Sequence, residues 1–110
     1  MRNKLDEQVS ILNRGLLEMG SLIESAIQSA NDALVNQNIQ QAQKAIEIER
    51  RVDEKEREIE NICLKILLQQ QPVARDLRLV SAALKMITDM ERISDQAADI
   101  AEIVILMDGK

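Results

Sequence analysis

Glu91, Asp95 and Asp99 recur every four residues in a stretch without Gly or Pro. On a helix this spacing stacks three carboxylates about one turn apart on neighbouring sectors of one face. Like charges so placed repel each other, so the face is either solvated or held together by a cation. A second pair with the same spacing, Glu49 and Asp53, lies in the preceding segment. If the two segments are antiparallel helices joined near Gln70, Glu91 stands about twenty residues after the turn and Arg51 about twenty before it. The two acidic pairs then share one level. Oxygen-only donors suit hard cations such as Mg, Ca, Mn or iron, and bridging carboxylates allow a multinuclear cluster. With no His and one Cys, zinc in its usual nitrogen and sulfur environment is disfavoured. The residues expected to hold metal are Glu91, Asp95, Asp99, Glu49 and Asp53. The competing reading is a solvated face laced with local ion pairs. Glu47/Arg51 and the other charges of the second segment fit that description.

The chain has 110 residues, the size of one domain spanning 1–110. Hydrophobic residues make up 45% and aromatic residues none, with one Pro and three Gly. A core of Leu, Ile, Val, Met and Ala with so few turn formers predicts an all-α fold of long helices. From Met86 to Gly109 there are six acids and one base, which equals the whole net charge of −5. This balance, without aromatics to stack on bases, argues against a nucleic-acid partner. No apolar run approaches the roughly 18 residues of a membrane span. Met1-Arg2-Asn3-Lys4 leads into an amphipathic pattern, so no secretory leader is expected. A lone Cys63 on an apolar stripe reads as a core residue of a cytoplasmic protein. Catalysis is not expected, because no nucleophile–base pair or phosphate-cradling Gly loop stands out.

The first helix is predicted from about Asn3 to Val35. Leu5, Val9, Leu12, Leu16, Met19, Ile23, Ala26, Ala30 and Ala33 alternate steps of four and three, the seam of a bundle. Gly15 and Gly20 interrupt it, each at a propensity cost of about 1 kcal/mol relative to Ala, and could permit close helix approach. Asn36-Gln37-Asn38 is the first turn, with Asn38 as N-cap. The second helix runs to about Leu68 on Ile39, Ala42, Ala45, Ile46, Val52, Ile59, Ile62, Cys63 and Ile66. Its stripe is thin between Ile46 and Ile59, where Glu49, Asp53 and Glu56 stand at or beside it. Gln69-Gln70-Gln71-Pro72 ends it; Pro72 suits the first turn of the third helix, which runs to about Met107 with Gly109 as its stop. Short connections make neighbours antiparallel, giving an up-down-up three-helix bundle. The third helix has two apolar rows. One is Val80, Leu84, Ile87, Ala98, Ala101 and Ile105; the other is Leu79, Met86, Met90, Ile93, Ala97, Ile100, Val104 and Met107. That is wider than one packing face needs, so the second row is expected to form an interface. Arg78, Lys85 and Arg92 add a basic stripe that could dock an acidic partner.

The run Gln70-Gln71-Pro72-Val73-Ala74-Arg75-Asp76-Leu77-Arg78, continuing through Lys85 to Thr88-Asp89-Met90-Glu91-Arg92-Ile93-Ser94-Asp95, resembles the PhoU family of phosphate-uptake regulators. The opening Met1-Arg2-Asn3-Lys4-Leu5-Asp6-Glu7-Gln8 is similar to the family's start. The resemblance implies an α-helical protein of two tandem three-helix bundles, each with a Glu/Asp-x-x-x-Asp motif associated with iron or zinc clusters. Here that motif falls on Glu91/Asp95 and Asp95/Asp99. It also implies negative regulation of phosphate metabolism, linking the ATPase of a phosphate ABC transporter to a sensor histidine kinase. The chain departs from the family at Ser94, where Gly is usual and where looser packing is expected. It also has about half the usual family length, so it corresponds to one repeat. The function expected is a non-catalytic adaptor with a metal-binding face and a homodimer formed through the third helix. The alternative is a structural oligomerisation module without a ligand.

Overall fold

The computed structural model describes residues 4–69 and 72–108. Three helices account for nearly all of them: α1 (Lys4–Asn36), α2 (Ile39–Gln69) and α3 (Ala74–Asp108). The expected starting residue Asn3, the turn residues Gln70 and Gln71, and the stop at Gly109 lie outside the described residues. The helices form an elongated bundle of 59 × 21 × 16 Å. Lys55 of α2 reaches Glu18 of α1, and Ile59 meets Gly15. One partner number rises as the other falls, so α1 and α2 run antiparallel. On α3, Met90 faces Gly20 while Ile93 and Ile100 share a groove with Ile27 and Leu34. There the numbers rise together, so α1 and α3 are parallel and the topology is up-down-up.

The α1–α2 turn closes with a Schellman arrangement. The Asn38 N–H donates to Ala33 O at 3.0 Å, and Gln37 takes the left-handed conformation at φ 52°. Glycine usually fills this place. Here the Gln37 side-chain amide donates to Leu34 O at 3.1 Å, satisfying a carbonyl that the helix end leaves without a partner. Asn38 is the N-cap of α2, its Oδ1 accepting from the Gln41 N–H at 3.1 Å. At the other turn Pro72 lies two residues before α3 rather than in its first turn. The Val73 carbonyl accepts from the Asp76 and Leu77 N–H groups, which makes Val73 the N-cap. Its side chain has no oxygen to offer the remaining free amides.

The core changes character along the bundle. At the end near the α1–α2 turn it is rich in alanine: Ala26, Ala30 and Ala33 cluster with Ala42 and Ala45 of α2 and Ala97 and Ala101 of α3. Small side chains let the helix axes approach. Toward the middle and the opposite end Leu12, Met19, Val52, Ile59, Ile66, Val80 and Ile87 fill the space without an aromatic ring. Ile48, which the sequence reading leaves off the α2 stripe, is buried. An ideal Cβ on Gly15 would stand 3.2 Å from Ile59 Cγ1, so this glycine does serve close approach. A Cβ on Gly20 would meet only Met90 Cε at 3.8 Å, an ordinary contact.

The two rows of α3 separate in the structure. Val80, Ile87, Ala98 and Ala101 are buried against the bundle, as are Ala97 and Val104 from the second row. Met86, Ile93, Ile100 and Met107, spaced by seven, are exposed together with Ile27 and Leu34 of α1. Ser94 is fully buried on the core seam, and its Oγ has no hydrogen-bond partner. No helix of the described residues is long and apolar enough to cross a membrane.

Candidate metal centre

Ala42, Glu49, Glu56 and Cys63 recur every seven residues along α2; Leu84, Glu91, Ala98 and Ile105 do so along α3. A seven-residue repeat keeps one side of a helix against its neighbour. Ala42, Cys63 and Ala98 are buried, and Leu84 and Ile105 pack against the core. Glu49, Glu56 and Glu91 therefore occupy positions that apolar side chains hold elsewhere in the same rows. Three carboxylates sit where the α2–α3 seam would otherwise be closed by hydrocarbon.

Two triads result. Oxygens of Glu49, Glu91 and Asp95 lie within 4.8 Å of one another, and so do those of Asp53, Glu56 and Glu91. Glu91 belongs to both. Glu49, Asp53, Glu56 and Glu91 are half-buried and Asp95 is exposed. Glu91 Oε2 is shielded from water and has no hydrogen-bond partner. Among the described residues none of the five has a Lys or Arg within ion-pair distance. Burial, reinforced by the carboxyls of Asp53, Glu56 and Asp95, pushes Glu91 up to about 9. Burial also leads for Glu49, which the Asp95 and Asp53 carboxyls help to raise to about 7. Glu56 is raised by burial and by Glu60, Asp53 and Asp95, with Arg57 opposing.

This arrangement suits the uptake of positive charge, as protons or as a cation. Two triads with one shared carboxylate could hold one or two hard cations, Glu91 bridging them. The donor set is oxygen throughout; Cys63, its thiol raised by burial, is in neither triad.

Of the residues expected from spacing, Glu49, Asp53, Glu91 and Asp95 come together. Asp99 does not: it is exposed and in neither triad. Four residues turn a helix about 40° past a full circle, so the row Glu91, Asp95, Asp99 winds from the seam out to solvent. Glu56 joins the site although it was not among the expected ligands. Its signal was the repeat Ala42, Glu49, Glu56, Cys63, which puts it in the seam row. On the rest of α2, Glu47 pairs with Arg50 at 3.3 Å rather than with Arg51. In the basic stripe of α3, Lys85 pairs with Asp89 at 3.7 Å.

A family model described as the PhoU domain matches residues 16–104. Among curated relatives, the "phosphate-specific transport system accessory protein PhoU homolog" of Synechocystis is 35% identical over 94% of this chain and 46% of its own length. The protein of that name from a Burkholderia species is 38% identical over 92% of this chain and 43% of its own. The one from Clostridium acetobutylicum is 34% identical over 99% and 50%. The chain thus spans about half the length of the curated relatives it matches. No solved structure shows a significant match.

Proposed function

The chain belongs to the PhoU domain family, and on that premise we propose that it is a non-catalytic regulator of phosphate uptake whose acidic α2–α3 face binds metal. The name its relatives bear, accessory proteins of a phosphate-specific transport system, supports the phosphate role. In this reading the protein acts in the cytoplasm as an adaptor between the ATPase of a phosphate ABC transporter and a sensor histidine kinase, as a negative regulator of phosphate metabolism. The observation that carries the metal reading is the pair of carboxylate triads sharing half-buried Glu91 with no ion-paired cation. A bound Mg, Mn, Ca or iron ion would neutralise the seam and brace α2 against α3. Zinc ranks lower on a donor set that is all oxygen.

Elemental analysis of untagged protein, with thermal unfolding before and after each cation is added, tests it. Bound metal that disappears in the Glu91→Gln/Asp95→Asn double variant is the expected result. No bound metal and no stabilisation by any cation would favour the structural module instead.

The exposed row Met86, Ile93, Ile100 and Met107, with Ile27 and Leu34 beside it, favours a second reading alongside the first: two copies of this chain pair through the α1–α3 face. A contiguous apolar surface of this kind is uncommon on monomers. Sedimentation equilibrium should give a dimer that Ile93→Glu/Ile100→Glu converts to monomer; a wild-type monomer at high concentration refutes the pairing.

A further inference from the structure

The groove between α1 and α2, on the flank of α2 away from the acidic site, has a different chemistry from the rest of this acidic molecule. Two depressions run into one another along it, sharing Glu18 and Lys55. The floor is apolar, with Leu22 and Ile48 in one half and Ile11, Ile59 and Ile62 in the other. Five cations line it (Arg14, Lys44, Arg51, Lys55 and Lys65) against three carboxylates. Those carboxylates are already engaged. Lys55 Nζ holds Glu18 at 3.1 Å and Glu58 at 2.9 Å, and Arg50 holds Glu47 at 3.3 Å. Arg14, Lys44, Arg51 and Lys65 have no ion-pair partner among the described residues. On a chain of net charge −5, this groove therefore carries an excess of two positive charges, five cations against three carboxylates.

We propose that this groove docks an acidic amphipathic helix of a partner protein. Lys44, Arg51 and Lys65 belong to one seven-residue row, completed by Glu58. That row spans about 32 Å at the helical rise, the length of a helix of about 21 residues. A helix laid in the groove would put its apolar stripe on Ile11, Leu22 and Ile62. Glu or Asp flanking that stripe would meet the cations, as flanking charges do in coiled coils. Charge complementarity argues for a protein helix over other anions. A membrane surface is flat, whereas these side chains line a concave groove. Nucleic acid would find neither aromatic side chains nor a continuous cationic path. The inference is independent of the metal and dimer readings, which concern the other two faces.

The test uses a fluorescent 21-residue peptide with Leu at the two seam positions of each heptad and Glu flanking them. Its twin carries Lys in place of Glu. Binding to the full chain is followed by anisotropy. The Glu peptide should bind, the Lys peptide should not, and affinity should fall as salt is raised. Lys44→Glu/Arg51→Glu should weaken binding by about tenfold or more. Arg78→Glu/Lys85→Glu, an equal charge change on α3, should alter it by less than about twofold. Circular dichroism shows that each variant is folded. Equal losses in both double variants, equal binding of the two peptides, or no binding of the Glu peptide would each overturn the proposal. So would loss of Glu-peptide binding on Ile93→Glu/Ile100→Glu with retention on Lys44→Glu/Arg51→Glu, which would place the peptide on the α1–α3 face. Binding to phosphatidylserine vesicles that Lys44→Glu/Arg51→Glu abolishes, without Glu-peptide binding, would overturn it in favour of a membrane surface.

Discussion

Replacing Glu91 with Gln should stabilise the metal-free protein at neutral pH, and the sign follows from linkage. Glu91 titrates at about 9 in the folded chain against 4.5 ordinarily. A raised acid favours the fold fully below the lower value, and that contribution is lost as pH climbs through the higher one. At pH 7 the folded state must hold a proton that the unfolded chain has released. The offset between 4.5 and pH 7 sets an upper bound of about 3.4 kcal/mol at 1.36 kcal/mol per unit. Solvent reaches part of the side chain and its neighbours titrate with it, so about 1–2 kcal/mol is the expected size. Glutamine has the same shape, no charge to bury and an N–H to donate to the surrounding carboxylates. In chelator at pH 7, Glu91→Gln should therefore melt about 4–8 °C higher than wild type. Thermal unfolding by circular dichroism at pH 5, 7 and 9 provides the measurement. The advantage should be small at pH 5 and grow toward pH 9. In the presence of a cation that binds the triads the order should reverse, because the variant loses a bridging ligand. A Glu91→Gln protein that melts below wild type in chelator, or whose advantage is the same at all three pH values, would refute the reasoning.

Four further substitutions test the packing and the caps. Gly20→Ala should raise stability by about 0.5–1 kcal/mol in urea unfolding, while Gly15→Ala should gain less or lose, because its methyl would press on Ile59 at 3.2 Å. Val73→Asp should add about 1 kcal/mol by giving α3 the N-cap oxygen it lacks, read from the urea midpoint. Ser94→Ala should be stabilising by about 1 kcal/mol, since the buried Oγ has no partner to lose; a destabilised Ser94→Ala would show that the hydroxyl is satisfied in solution.

The outline of this protein was legible in its residues because each cue acts locally. The alternation from Leu5 to Ala33 demands a helix with one apolar edge, Asn38 supplies a cap through its own side chain, and Pro72 interrupts whatever precedes it. Without aromatics and with few turn formers, long helices in a bundle were the available solution. Composition, with no His and one Cys, pointed to oxygen donors for any metal. The site was only half legible. Distance from the turn put Glu49 and Asp53 level with Glu91 and Asp95, but height on a helix does not say how far round it a side chain stands. The tertiary packing of α2 against α3 decided that, turning Glu56 into the seam and leaving Asp99 in solvent. It also divided the broad apolar face of α3, burying Ala97 and Val104 while exposing Met86, Ile93, Ile100 and Met107. The raised titration of Glu91 belongs wholly to the folded state, because only there do burial and the carboxylates of a second helix act on one side chain.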